Sequence, residues 1–147
     1  DATGDYEAIA VKNGGKLTLN SGNIESGRYG LYAYSSIGHI VVNGGTVTAP
    51  YMAVAAAKGS LVINGGSFSL MENPNVSDHC VYYVSEIKGG TFTLGNNTDC
   101  GAQVFYESTI AEGYVAVAVN ENYVVIEGQA ITTKTEFEYN TSKTYQI

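Results

Sequence analysis

Val42-Asn43-Gly44-Gly45-Thr46-Val47 is followed 21 residues later by Ile63-Asn64-Gly65-Gly66-Ser67-Phe68, and after a further 24 by Ile87-Lys88-Gly89-Gly90-Thr91-Phe92. A variant, Leu19-Asn20-Ser21-Gly22-Asn23-Ile24, stands 23 residues before the first of these. Self-similarity at a near-fixed period of about 22 residues marks a solenoid in which each turn is one structural unit. Working outward, each repeat is preceded by a short apolar run, namely Leu17-Thr18-Leu19, Ile40-Val41-Val42 and Leu61-Val62-Ile63. Before those come Glu7 to Val11, Tyr29 to Ala33 and Tyr51 to Ala55. Three strands per turn result, and period-2 alternation assigns their faces.

Ile24, Val47, Phe68 and Phe92 are expected to form one internal column. Leu17/Leu19, Ile40/Val42 and Leu61/Ile63 form a second. In the first strands Ile9, Leu31 and Ala53 are expected inside with Val11, Ala33 and Ala55, and Tyr32 and Val54 outside. The glycines mark corners that need positive φ, and Asn20, Asn43 and Asn64 sit where stacked amides can bond to one another. The fold class is therefore all-β: a parallel β-helix of about five turns, right-handed by the general crossover rule. Tyr114 to Val119 and Tyr123 to Glu127, around Asn120-Glu121-Asn122, read as a C-terminal hairpin that caps the last turn. Residues 1–128 thus form the β-helix with its hairpin, and residues 129–147 a C-terminal strand or interchain tail.

Composition narrows the function. The 147 residues include 18 glycines, 12 tyrosines and two prolines, and carry a formal net charge of −7. With six lysines and one arginine there is no basic stripe to neutralise phosphates, which argues against nucleic acid, and no apolar run is long enough to insert in a membrane. Thr-, Asn- and Tyr-rich strands with few charges suit an extracellular scaffold.

The Ile-x-x-Asn-Gly-Gly-Thr-x-Thr pattern, closed by Ser108-Thr109-Ile110-Ala111-Glu112-Gly113-Tyr114, resembles the glycine-glycine repeats of parallel β-helix proteins. Those occur in secreted and surface proteins of gut bacteria and in fibre or decoration proteins of their phages. The resemblance spans residues 5–128 or so. It implies display or attachment at a cell or virion surface, with no active site to carry over. The pectate lyase and polygalacturonase helices are less similar, since their clustered aspartates and catalytic basic residue have no counterpart beside the lone Arg28.

Chemistry gathers where the repeat is interrupted. The insert Met71 to Asp78 precedes His79-Cys80, and Asp99-Cys100 follows one turn later. Cys80 and Cys100, 20 residues apart, read either as a disulfide that pins the insert or as two buried thiols in a core column. His79, Cys80, Asp99 and Cys100 have metal-ligand chemistry, but their spacing matches no zinc signature. Asp78 and Asp99 are the carboxylates on which a polysaccharide-cleaving alternative would rest, their competing role being turn formation. No cofactor is expected.

The outward tyrosines point to binding. Tyr29 and Tyr51 are expected to share one repeat position, and Tyr32, Tyr34, Tyr82 and Tyr83 crowd the same sheet, where rings can stack on sugar faces or on a partner chain. Val41 and Val62 give the second sheet an apolar outer column, to be met by the tail, a second copy or a larger assembly. The expected function is a non-catalytic attachment module with glycans as the ligand class. The alternatives are a polysaccharide-cleaving enzyme and a structural fibre or capsid-decoration unit.

Overall fold

The computed structural model describes residues 6–34, 37–57, 60–71, 78–94 and 103–128. Among them there is no helix, and the strands build three sheets around one elongated core. Sheet 1 contains β1 (Ile9–Val11), β4 (Tyr29–Ala33), β7 (Met52–Ala56), β10 (His79–Tyr82) and β13 (Phe105–Tyr106), in that order. Sheet 2 contains β2 (Lys16–Leu19), β5 (His39–Val42), β8 (Ser60–Ile63) and β11 (Glu86–Ile87). Sheet 3 stacks β3 (Asn23–Glu25), β6 (Thr46–Ala49), β9 (Ser67–Leu70) and β12 (Gly90–Thr93). All of these pairings are parallel, so the chain is a parallel β-solenoid. Its turns number about three from the first complete rung to the fourth, with a partial fifth at β13, fewer than the five expected from the repeat.

The corners explain the glycines in two ways. Gly45 and Gly66 take φ of 96° and 113°, a region closed to side chains with a Cβ. Gly44, Gly65 and Gly89 precede the positive-φ glycines and have a different reason. A Cβ there would lie 2.6, 2.9 and 2.4 Å from the carbonyl oxygens of Asn20, Asn43 and Asn64 in the rung beneath. Ser21 holds the same position in the first rung, where no earlier rung lies beneath it among the described residues. Beside the corners, the Asn43 amide donates to Asn20 Oδ1 and the Asn64 amide to Asn43 Oδ1, both at 2.8 Å. Lys88 takes the next place and ends the ladder; its ammonium pairs with Glu86 at 3.2 Å.

Internal columns follow the expected register in sheets 2 and 3, with Ile24↔Val47, Val47↔Phe68 and Phe68↔Phe92 in line. The Phe68 and Phe92 rings stack at 5.1 Å and 13°. Sheet 1 differs from expectation. Tyr29 pairs with Met52, not Tyr51, because the Pro50-Tyr51 corner holds one extra residue. That slip places Val54 beside Leu31 in the core and Ala55 in the outer column between Tyr32 and Tyr82. Alternation also breaks within these strands. Both Ala53 and Val54, and both Cys80 and Val81, belong to the buried core. Two consecutive inward residues put the flanking outward ones three apart, which is why the Tyr29 and Tyr32 rings stack at 5.4 Å.

At the C-terminal end, β14 (Tyr114–Val119) and β15 (Asn122–Glu127) form the expected hairpin. It extends sheet 3, with β15 antiparallel to β12 and Val125 buried. The tail from residue 129 onward, and most of the insert, lie outside the described residues.

Candidate functional site

The outer surface of sheet 1 carries two aromatic clusters. In the lower one Tyr29 and Tyr32 stack, Tyr34 stands edge-on to Tyr32 at 4.3 Å and 88°, and Tyr51 meets Tyr29 at 6.4 Å and 63°. In the upper one Tyr82 and Tyr106 stack at 5.0 Å and 6°, His79 lies on Tyr106 at 4.5 Å, and Tyr83 is turned 77° and 71° from Tyr82 and Tyr106. Met52 and Ala55 occupy the rung between. Ala55 is fully buried between its register partners Tyr32 and Tyr82. The two stacks thus lie two rungs, roughly 10 Å, apart along the solenoid.

Ring orientation separates the six tyrosines singled out by sequence. Tyr29, Tyr32 and Tyr82 are half-buried in stacks and serve mainly to pack the face. Tyr34, Tyr51 and Tyr83 are turned steeply out of those stacks and are 39, 40 and 43% exposed. Tyr83 also takes φ of 53°, a left-handed conformation that costs a non-glycine residue roughly 1 kcal/mol or more. That backbone turn is what swings its ring away from the column. His79 belongs to the upper cluster, its Nδ1 lying 3.1 Å from the Gln103 carbonyl oxygen. The signal for it was available: His79 precedes Tyr82 by the same three residues that separate Tyr29 from Tyr32.

Comparisons of the chain with family models, with curated proteins and with solved structures return no match. What the face can do follows from its own chemistry.

Its phenols are neutral at physiological pH. The Tyr34 hydroxyl donates to the Glu7 carboxylate at 2.5 Å, which pushes the phenol up to about 12 and holds Glu7 below the usual carboxylate range. Burial raises Tyr32 and Tyr82. The nearby cations already lie against rings, with Lys12 Nζ 4.3 Å from the Tyr34 centroid and the Arg28 guanidinium 4.8 Å from that of Tyr29. The Glu7–Tyr34 bond also sets a pH dependence. Glu7's contribution to stability is present above the ordinary carboxylate range and fades as pH falls through its depressed pKa. Tyr34's is present below about pH 10 and fades as pH rises toward about 12. Tyr34→Phe is expected to remove both dependences and to raise the Glu7 pKa, read by NMR titration of its carboxyl carbon. An unmoved Glu7 titration would show that the bond is not formed in solution.

The remaining candidates separate. Cys80 is a free thiol buried in the core, and burial pushes its pKa up to about 12, so it is neither one half of a bridge to Cys100 nor an activated nucleophile. It points inward while His79 packs outside, so the two do not converge on a metal. No group of three or more such ligands gathers among the described residues. Asp78 is buried, which withholds its carboxyl from a polymer at the surface. Asp99 and Cys100 lie outside the described residues. Val41 and Val62 are half-buried and make a column only two residues high, bounded by Thr18 and Glu86.

Proposed function

We propose that this chain is a non-catalytic attachment module of a cell or virion surface, which binds neutral glycans along the tyrosine face of sheet 1. The observation that carries the reading is the set of three steeply turned, exposed rings, Tyr34, Tyr51 and Tyr83, held at different heights on one rigid sheet. Rings so placed offer apolar faces to successive sugars at little entropic cost, because packing already fixes them. A face whose phenols are neutral and whose cations lie against rings suits uncharged polymers. The glycine-glycine repeat resemblance agrees with such a role.

A glycan array probed with the whole chain, followed by titration of the best ligand, tests this. Tyr51→Ala and Tyr83→Ala are each expected to weaken binding by about tenfold. Both rings are exposed, so the melting midpoint should move by only a few degrees. Retention of no glycan, or equal affinity for both variants and the parent chain, would sink the proposal.

One observation favours assembly as a second reading. The outermost strand of sheet 3 reads Tyr114-Val-Ala-Val-Ala-Val119, uncharged, with Val115, Val117, Val124 and Ile126 on its outer face. Such an edge invites pairing. A concentration-dependent dimer in sedimentation, dispersed by Val117→Lys, would support it.

A further inference from the structure

We infer that the C-terminal end of the solenoid carries a second binding site, a concave one that takes the neutral or amino-bearing end residue of a sugar chain. It shares no residue with the tyrosine face and stands without it. The site is a cavity of about 640 Å³ between the partial fifth rung and the hairpin, within the range of roughly 300–1,000 Å³ of small-molecule sites.

Its construction starts in the core. The Phe68–Phe92 stack continues through Phe105, 5.0 Å from Phe92 and turned 66°, to Tyr123, 5.9 Å from Phe105 and turned 76°. The aromatic run therefore emerges from the interior and ends at a ring that is 41% exposed and lines the cavity. Leu94 and Val104, both nearly buried, supply apolar surface beside it. Polar groups come from Gln103 and from the hairpin turn, where pairing of Val119 with Asn122 closes a two-residue loop and fixes Asn120, Glu121 and Asn122 at the cavity.

Three carboxamides offer both donors and acceptors, which is what adjacent hydroxyls require, and an aromatic ring suits the C–H face of a pyranose. The single carboxylate, Glu121, is not balanced by any Lys, Arg or His in the lining. A phosphate, sulfate or uronate is therefore repelled, and an ammonium group is attracted.

Saturation-transfer NMR on the whole chain tests this with methyl glucoside, galactoside and mannoside, together with the 2-amino and uronic acid forms of the glucoside. At least one neutral hexoside and the amino sugar are expected to bind, and the uronate about tenfold more weakly than the amino sugar. Glu121→Lys, a change at an exposed turn, should reverse that charge preference. Tyr123→Ala should weaken every ligand by about tenfold, whereas Tyr51→Ala and Tyr83→Ala leave binding unchanged. If none of the sugars binds, or if the charge preference survives Glu121→Lys, the inference is overturned. Should Tyr123→Ala fail to fold, the Glu121→Lys reversal still decides.

Discussion

Replacing Gly30 with alanine is expected to lower the thermal midpoint by about 10 °C or more, a loss of roughly 3 kcal/mol in a domain of this size. Gly30 is buried in β4, at the pair of consecutive inward positions. A Cβ there would lie 2.3 Å from Val47 Cγ1 and 2.4 Å from the Ala53 carbonyl oxygen. Neither neighbour yields easily. Val47 is β-branched and held in the core column, and the Ala53 carbonyl belongs to the neighbouring strand of a parallel sheet. Accommodation would push β4 and β7 apart along their length. Gly22→Ala is the informative control, because its φ is 118° but nothing lies within 4 Å of the added atom. Only the left-handed strain of about 1 kcal/mol should appear, a shift of a few degrees. Equal losses in the two variants would show that close approach of rungs is not what demands glycine at position 30.

The residues that repeat with the period were legible because each does the same job in every rung. The asparagine ladder, the positive-φ corners and the Ile24-Val47-Phe68-Phe92 column follow from spacing and alternation alone. What escaped reading are the places where two physical rules compete. At Pro50-Tyr51 a conserved-looking tyrosine spacing suggested one register, but packing of Val54 against Leu31 selects another, since it buries the larger side chain. Alternation placed Ala53 and Val54 on opposite faces, whereas both are core. The paired inward positions, filled by Gly30, Ala53 and Cys80 beside Leu31, Val54 and Val81, accept only small residues at the first of each pair. That constraint also accounts for Cys80 as a small buried hydrophobe. The tyrosine cluster was visible in sequence, but which rings turn outward was not, because it depends on the left-handed turn at Tyr83. The end cavity had no sequence signal: it exists because the hairpin pairs antiparallel with β12, and no repeat encodes that contact.

Phe92→Ala should be as damaging as any single truncation in the chain, costing about 3–5 kcal/mol and moving the urea midpoint correspondingly. The ring has no solvent exposure, stacks on Phe68 below and meets Phe105 above. Its edge also packs over the Gly90 corner, where a Cβ would lie 3.0 Å from Cζ. Removing it cuts the aromatic run between the third rung and the C-terminal end, and β12 is the strand on which the hairpin is built. Ile24→Ala truncates the same column in the first rung, where the side chain is only half-buried and packs against one neighbouring rung, so a loss of about 2 kcal/mol or less is expected. In a solenoid, stability is the sum of rung terms and nearest-neighbour interfaces, so an interior rung with two interfaces must lose more than an end rung with one. Ile24→Ala matching Phe92→Ala would mean that the column is not the element joining the rungs. A normal midpoint for Phe92→Ala with an altered Tyr123 environment would place the ring's role in the cavity instead of the core.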